Sequence, residues 1–171
     1  MGMSKAYLLG ALHDGYQTKY TCRIAQKHEE YVKDLAELVK QTGYSAWTYR
    51  EGDRNVFVVE FSKASLSGFE ITTKQDKLDY AAGYFDAEGS VPIKNGARPY
   101  VYFCQKNRKD LEEVKAFLEE AGICCGKTHN PSARKDPDYW RFFVSSKSHS
   151  KFARKISSRH PVKRKILEKM I

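Results

Sequence analysis

Two short segments of the sequence end in an acidic residue followed by glycine, at positions suited to binding a cation. Asp14 follows the apolar run AYLLGALH, and Glu88 closes the run AAGYFDA. Both runs are predicted helices, and the C-terminal end of a helix carries unpaired carbonyls and a partial negative charge. Mg²⁺ prefers oxygen ligands from one or two carboxylates, completed by water and phosphate oxygens. The two acids therefore predict a magnesium site.

Small residues in both segments predict how the two acids meet. Gly10 and Ala11 in the first run, and Gly83 in the second, would let two helices approach backbone to backbone. If the helices pack about a pseudo-twofold axis, Asp14 and Glu88 meet at their C-terminal ends. For either segment alone, an acid and a glycine that merely end a surface helix are the better interpretation. The recurrence of the pattern favours the site.

The order of features in the first half of the chain recurs in the second. Each copy has an apolar helix ending in acid-Gly, a strand ending in Gln-Lys, an amphipathic helix, two strands and a basic closing segment. The matching segments are 6–15, 19–27, 28–43, 44–50, 55–63 and 73–80 in the first copy, and 78–89, 97–106, 107–122, 123–130, 138–147 and 162–170 in the second. This internal repeat predicts two units, 1–74 and 75–171.

The predicted strands alternate between apolar and polar residues, which indicates sheets with one face toward the core. The core face takes Phe57, Val59 and Phe61 in the first copy and Trp140, Phe142 and Val144 in the second. The opposite face is predicted to hold Lys19, Thr21, Arg23, Thr48, Arg50, Glu60, Arg98, Tyr100, Tyr102, Lys127, His129 and Arg141. Such a face is either simply solvated, as in many antiparallel sheets, or a surface that reads a ligand.

The charge of the chain favours a polyanionic partner. The 171 residues are 41% hydrophobic and carry a net charge of +9, and all of this excess lies beyond residue 70. A basic balance of this size indicates nucleic acid rather than an anionic membrane. No apolar run approaches the length of a spanning helix, and the N-terminal run fits neither a signal peptide nor an anchor, so we expect an intracellular, cytoplasmic protein without a membrane partner.

Together, AAGYFDAEG and YLLGALHDG, each followed by strands and a helix, resemble the LAGLIDADG homing endonucleases, specifically the single-chain, two-motif members encoded in introns or inteins. The resemblance implies an α+β fold of two pseudo-symmetric αββαββα repeats, with the motif helices at the interface and two four-stranded, antiparallel, saddle-shaped sheets in the DNA major groove. It implies a monomer that cuts both strands of a long, pseudo-asymmetric duplex site across the minor groove and leaves short 3′ overhangs. The implied cofactor is two or more Mg²⁺ ions, with Mn²⁺ as a substitute.

The resemblance also implies roles for individual residues. Asp14 and Glu88 match the metal-binding acids, and Gln26 and Gln105 match a glutamine that positions water or the scissile phosphate. The basic pocket residue is matched by Lys74 in the first copy and by Lys163, with Arg164 and Lys165 as rivals, in the second. Taken singly, each glutamine is also readable as a polar strand end and each lysine as a solvated helix start.

The basic C-terminal stretch predicts contacts with the DNA backbone. Residues 127–171 hold 13 basic and three acidic residues, and Lys or Arg on phosphates gives sequence-independent affinity. The residues expected on phosphates are Lys147, Lys151, Arg154 and Lys155. The residues expected on base edges in the major groove are Arg23, Arg98, Lys127 and Arg141, because Arg and Lys read guanine there.

Two other functions fit the same sequence. One keeps the fold and omits cleavage, as in an RNA maturase or a DNA-binding regulator. The other is a basic scaffold for structured RNA, with Tyr100 and Tyr102 stacking on bases. Retention of two acids against phosphate favours cleavage, because a protein that only binds has no use for them.

Overall fold

The structure, a computed structural model, describes residues 2–171, with side chains described from residue 5 onward. It has the predicted α+β fold of two repeats. The first repeat comprises α1 (Gly2–Ala11), a 3-10 turn (Leu12–Asp14), β1 (Gly15–Gln17), β2 (Thr21–Gln26), α2 (Glu29–Gln41), β3 (Ala46–Arg50), β4 (Phe57–Ser62) and a 3-10 turn (Lys63–Leu66). The second comprises α3 (Lys74–Glu88), β5 (Gly89–Ser90), β6 (Tyr102–Gln105), α4 (Arg108–Glu120), β7 (Trp140–Phe143), a 3-10 turn (Ser146–Ser148), α5 (His149–Lys155) and α6 (Pro161–Glu168).

The two sheets share one strand order but differ in completeness. The first is antiparallel with four strands in the order β1-β2-β4-β3, as expected. The second has three, in the order β5-β6-β7. The segment 123–130, predicted as a strand, makes only two isolated bridges to β7, Cys125 with Val144 and His129 with Arg141. The expectation of four strands in each sheet is therefore wrong for the second sheet, whose fourth position is filled by irregular chain.

The middle helix of each repeat covers the inner face of its sheet. The two predicted amphipathic helices, 28–43 and 107–122, bury apolar residues, with Leu35 and Val39 in α2 and Leu111 and Leu118 in α4 each at most 1% exposed. On the strands, the predicted core residues Val59, Phe61, Phe142 and Val144 are buried as well. Because successive strand residues face opposite sides, this inner burial leaves the alternate residues on the outer faces of the sheets.

Helix α3 starts at a capping box. The Thr73 hydroxyl accepts a hydrogen bond from the Asp76 amide, and the Asp76 carboxylate accepts one from the Thr73 amide. These bonds satisfy two amides that a helix start would otherwise leave unpaired. Over residues 2–171, no helix combines the length and apolar character needed to cross a membrane.

Candidate active site and sheet faces

The motif helices α1 and α3 cross at Gly10 and Gly83. A Cβ on Gly10 would overlap the carbonyl of Tyr80, and a Cβ on Gly83 would overlap the carbonyl of Tyr7. The two backbones therefore touch directly, and any larger residue would force the helices apart. The predicted approach through small residues is confirmed.

A change of helix type compensates for the shorter first motif. Asp14 stands four residues after Gly10, whereas Glu88 stands five residues after Gly83. The first motif ends in the 3-10 turn Leu12–Asp14, whereas α3 remains α-helical through Glu88. A 3-10 helix rises about 2.0 Å per residue and an α-helix about 1.5 Å, so three 3-10 residues advance about as far as four α-helical ones. The missing residue is thus recovered along the helix axis.

Each acid accepts a hydrogen bond from the glutamine of its own repeat. Gln26 Nε2 donates to Asp14 Oδ2 at 2.7 Å, and Gln105 Nε2 donates to Glu88 Oε1 at 3.4 Å. Both glutamines end an inner strand, β2 or β6, beside the end of a motif helix. Burial raises the pKa of both carboxyls, and the charge of Asp14 raises the pKa of Glu88 further. Two carboxylates that repel each other in a partly buried site are stabilised by a divalent cation between them.

Lys163 is the basic residue at this site. Its Nζ donates to the carbonyls of Phe85 at 2.9 Å and Asp86 at 2.8 Å, in the last turn of α3. Burial lowers the pKa of Lys163, and the charges of Asp86, Asp14 and Glu88 oppose that shift. Its rivals in the sequence, Arg164 and Lys165, are exposed. Of the three, the structure therefore puts Lys163 beside the acids.

Lys74 does not lie at this site, and its prediction is wrong. It is the first residue of α3, whose last residue is Glu88, and 15 α-helical residues span about 21 Å between their ends. Lys74 instead lines a cavity with Phe117, Glu120 and Lys155. The alignment of the two copies matched Lys74 to Lys163 by local composition, but Lys163 belongs to α6, whereas Lys74 belongs to the motif helix α3.

The first outer face is the side of the first sheet that faces away from α2. Hydrogen bonds and an ion pair connect its polar side chains. Its residues are Tyr16, Thr21, Arg23, Trp47, Tyr49 and Glu60. The Arg23 guanidinium pairs with Glu60 at 3.2 Å and donates to the Tyr49 hydroxyl. Glu60 also accepts hydrogen bonds from Thr21 Oγ1 at 2.9 Å and from the Tyr49 hydroxyl at 3.0 Å. Lys19 is exposed in the turn before β2.

Thr48 and Arg50 lie on the other face of this sheet, contrary to prediction. Thr48 pairs across the ladder with core residue Val59, and Arg50 pairs with Phe57. Directly paired residues point to the same side, so both belong to the side that carries α2. Thr48 accordingly lines a groove with residues of α2. The error is a one-residue phase error in β3, which exchanges the two faces.

The second outer face, on the side of the second sheet away from α4, is aromatic with one enclosed arginine. Its residues are Tyr100, Tyr102, Cys104, Lys127, His129, Arg141 and Phe143. The Arg141 guanidinium carbon lies 5.2 Å from the Tyr102 ring centre and 5.1 Å from that of Phe143. Among the described atoms, Arg141 Nε is buried without a hydrogen-bond partner. Tyr100 stacks on Tyr102 at 5.6 Å and lines a cavity of about 380 Å³ with Arg98.

The strand registers show that Arg23 and Arg141 lie at different distances from the strand-end glutamines. They therefore belong to different rows, where a row is a set of residues paired across the sheet. Gln26 pairs with Phe57 and Gln105 pairs with Trp140, so these pairs are equivalent in the two repeats. Counting from them, Arg23 and Glu60 correspond to Tyr102 and Phe143, and Ala25 and Val58 correspond to Cys104 and Arg141. Arg141 thus lies one row, or two strand residues, closer to the acids than Arg23, a difference of about 6.6 Å.

Two exposed lysines of α5 bind carbonyls of the protein itself. Lys151 Nζ donates to the carbonyl of Gly122 at 3.1 Å, and Lys155 Nζ donates to that of Ala121 at 3.0 Å. They bind unpaired carbonyls at the C-terminal end of α4, a favourable place for a positive charge. Because both lysines are also exposed, their contact with phosphate stays a prediction. Lys147 and Arg154 are exposed.

Sequence reasoning missed two kinds of residue. Trp47 and Tyr49 were missed because the face of β3 was assigned in the wrong phase. Asp86 was missed because Glu88, two residues later, is the acid that fits the acid-Gly pattern. Asp86 is 2% exposed and accepts hydrogen bonds from the C-terminal segment. A carboxylate inside an apolar helix that packs against another helix was the available signal.

Two carboxylates, Asp14 and Glu88, are fewer ligands than a metal ion needs for complete coordination. Within the described part of the chain, no group of three or more His, Cys, Asp or Glu side chains is arranged to hold a metal ion. Asp14 and Glu88 therefore fit a hard cation whose remaining ligands are water and phosphate oxygens.

Comparison with known protein families finds a match in the second repeat. Residues 76–157 match the model of the LAGLIDADG-like domain. Most of the second repeat is therefore similar to the LAGLIDADG-like domain. The resemblance predicted from the two motifs is confirmed. A search of curated proteins finds no significant match.

Solved LAGLIDADG structures share the fold across nearly the whole chain. I-DmoI in complex with DNA and Mn is 20% identical, with a TM-score of 0.71, covering 92% of this chain and 98% of that one. I-DmoI with DNA and Ca is 22% identical, with a TM-score of 0.71 and 98% of each chain covered. Full-length DUF199/WhiA from Thermatoga maritima is 12% identical, with a TM-score of 0.73, covering 99% of this chain and 59% of that one. At these identities the likeness concerns the fold.

Proposed function

We propose that the protein is a monomeric, metal-dependent, site-specific DNA endonuclease. One observation carries the proposal. The crossing of α1 and α3 brings together Asp14 and Glu88, each hydrogen-bonded by a glutamine and both within the electrostatic reach of Lys163. A protein that only binds DNA gains nothing from two neighbouring carboxylates that repel phosphate, the charge of Asp14 raising the pKa of Glu88. This favours cleavage over the alternatives of an RNA maturase or a non-cleaving regulator of the same fold.

The residues at the crossing have distinct parts in phosphodiester hydrolysis. Asp14 and Glu88 would hold Mg²⁺ or a related divalent ion, which supplies an activated water and Lewis-acid stabilisation of the phosphate. Gln26 and Gln105 donate to the acids and keep them oriented, and their amide groups are placed to hold water or a phosphate oxygen. Lys163 contributes positive charge where negative charge develops in the transition state.

The two outer faces are the proposed DNA-contacting surfaces, one from each unit, 1–74 and 75–171. Both flank the acids, because β2 and β6 end in the glutamines that bond them. Arg23 and Arg141 would read base edges, and the exposed Lys19, Arg98 and Lys127 would add contacts with the DNA. Since Arg23 and Arg141 stand in different rows, the two halves of the DNA site must differ. This supports a long, asymmetric duplex site. The proposed cut crosses the minor groove and leaves short 3′ overhangs.

I-DmoI is a homing endonuclease crystallised with its target DNA and Mn, Ca or Mg, and it matches nearly the full length of this chain. This likeness supports duplex DNA as the substrate and a divalent ion as the cofactor. It also supports intron- or intein-linked homing as the biological role.

Plasmid cleavage tests the proposal. Supercoiled plasmids carrying a library of candidate insertion sites are incubated with the wild-type protein in Mg²⁺ or in EDTA, with Asp14→Asn as the control variant. We expect nicked and then linear product from a few sites in Mg²⁺ only, and none with Asp14→Asn. Binding to the same sites without any cleavage would overturn the nuclease and favour the non-cleaving regulator. Binding to structured RNA alone would favour the maturase.

A further inference from the structure

The carboxylate of Asp86 is buried two residues before Glu88 and is saturated with hydrogen bonds. Ser158 Oγ donates to Oδ1 at 2.5 Å, and the Tyr7 hydroxyl donates to Oδ2 at 2.5 Å. The backbone amides of Arg159 and His160 donate to Oδ2 at 2.7 and 3.2 Å. Burial raises the pKa of Asp86, and these bonds oppose the shift. Three of the four donors belong to one segment, 158–160, so Asp86 fixes that segment to the motif helices.

The same segment contacts the first repeat. The Arg159 guanidinium binds Asp34 of α2 at 3.1 Å. The ring of His160 packs edge-on against His28, with centres 5.0 Å apart, and beside Tyr31 at 5.4 Å. Segment 158–160 therefore lies between the repeats, bonded to α3 of the second and packed on α2 of the first.

Segment 158–160 also starts the helix that carries Lys163. His160 is the N-cap of α6, its ring nitrogen accepts a hydrogen bond from the Lys163 amide, and Pro161 opens the helix. A fixed N-cap sets the direction of the first turn, and Lys163 lies in that turn. Its Nζ reaches the carbonyls of Phe85 and of Asp86 itself. The bonds thus run from the Asp86 carboxylate, through the segment, to the Lys163 ammonium beside the acids.

We propose that Asp86 is a positioning residue, which places Lys163 beside Asp14 and Glu88 by holding segment 158–160. The effect on cleavage rests on the proposed nuclease function. The role is specific to the second repeat, because the residue two positions before Asp14 is the apolar Leu12. One lysine, Lys163, is accordingly held beside the two acids Asp14 and Glu88.

The test compares Asp86→Asn with Lys163→Met in the full chain. Single-turnover cleavage should fall roughly 10- to 100-fold in Asp86→Asn, as for other residues that orient a reacting group, with DNA affinity in Ca²⁺ unchanged within about twofold. The double variant should be no slower than Lys163→Met alone, because both changes remove the same contribution. A double variant slowed by the product of the two effects, or an unchanged rate in Asp86→Asn, would overturn the proposal.

Asp79→Asn is the matched control. Asp79 is a second buried carboxylate of α3, and it is hydrogen-bonded to Gln75 of its own helix. It should affect thermal stability without slowing cleavage by more than about twofold. If Asp86→Asn does not fold, Ser158→Ala and Tyr7→Phe remove one hydrogen bond each. They should slow cleavage to a smaller extent and only while Lys163 is present, and equal slowing in the Lys163→Met background would overturn the proposal.

Acylation of Lys163, followed by mass spectrometry, measures its placement without any cleavage. The bonded Nζ should react slowly in the wild type and several-fold faster in Asp86→Asn, but not in Asp79→Asn. Unchanged reactivity in Asp86→Asn would overturn the positioning role. A wild-type protein that cuts no DNA would overturn the proposed function instead, and the labelling result would still decide whether Asp86 places Lys163.

Discussion

The two sheets have the same strand order, but charged residues are distributed oppositely on their outer faces. In the row three residues before the strand-end glutamines, the first face has the ion pair Arg23–Glu60, and the second has the aromatic pair Tyr102–Phe143. In the row next to the glutamines, the first has Ala25 and Val58, and the second has Cys104 and Arg141. A repeated backbone therefore presents two different surfaces at matching positions. The repeat fixes where side chains stand, and the sequence of each copy decides what they recognise.

The two acid-bearing ends differ in a way that leaves their chemistry alike. Asp14 ends a 3-10 turn and Glu88 ends an α-helix, yet each is bonded by an equivalent glutamine. The two repeats thus differ in the side chains of their outer faces, whereas the difference in length between their acid-bearing ends is compensated by the change of helix type. The predictions below test that contrast.

The largest effect is expected at the acids. Asp14→Asn and Glu88→Gln should each reduce double-strand cleavage in Mg²⁺ at least about a hundredfold, since each removes a charge from the metal site. Binding in Ca²⁺ should stay near the wild-type value. Because burial raises the pKa of both carboxyls, their ionised forms destabilise the fold at neutral pH, and the amide variants should have a higher Tm. Full cleavage by either variant would remove that residue from the site.

Substitutions of Lys163 and of Lys74 should have clearly different effects on the cleavage rate, although the sequence repeat matches the two lysines. Lys163→Met should slow single-turnover cleavage about a hundredfold with little loss of affinity, since its charge acts on the transition state. Lys74→Met, at the far end of α3, should change the rate by less than about twofold. Comparable loss in both variants would restore the symmetric assignment made from the repeat.

The two arginines should specify guanines at unequal distances from the cleavage centre. Arg23→Ala and Arg141→Ala should each relax one or two base pairs and cost about 1 to 3 kcal/mol on the cognate site. The base pair that depends on Arg141 should lie about two base pairs nearer the centre, as one row of about 6.6 Å implies. Affinity for single-substitution duplexes measures both positions. Equal distances would mean that the rows do not set the reading position.

The smallest effect on sequence preference is expected from substitutions in β3. It distinguishes residues on the outer face from residues on the α2 side. Tyr49→Phe removes a hydroxyl bonded to Arg23 and Glu60 and should weaken preference at the Arg23 base pair about five-fold, the value of one hydrogen bond. Thr48→Ala and Arg50→Ala, on the α2 side, should change preference by less than about twofold. A loss confined to Thr48 and Arg50 would reverse the assignment of the faces.

Features set by strong local patterns were predictable from the sequence. The acid-Gly ends, the glutamine strand ends and the stripes of α2 and α4 all follow from periodicity and repetition. Three features depended on tertiary structure instead. The phase of β3 follows from its register with β4, the role of Lys163 from a segment outside the repeat, and the use of Lys151 and Lys155 from carbonyls at the end of α4. Local charge could not show which cations the protein itself pairs.

The most direct test of the central claim is selection of cleaved sites from a randomised duplex library, with both ends of every product mapped. The account predicts a single non-palindromic site, cut on both strands with short 3′ overhangs in Mg²⁺ only, with guanine preferences at unequal distances from the cut. It also predicts that Asp14→Asn and Glu88→Gln recover no products. A palindromic site with equidistant guanines would contradict the inequality of the faces, and cleavage that persists in both variants would contradict the metal site between the helices.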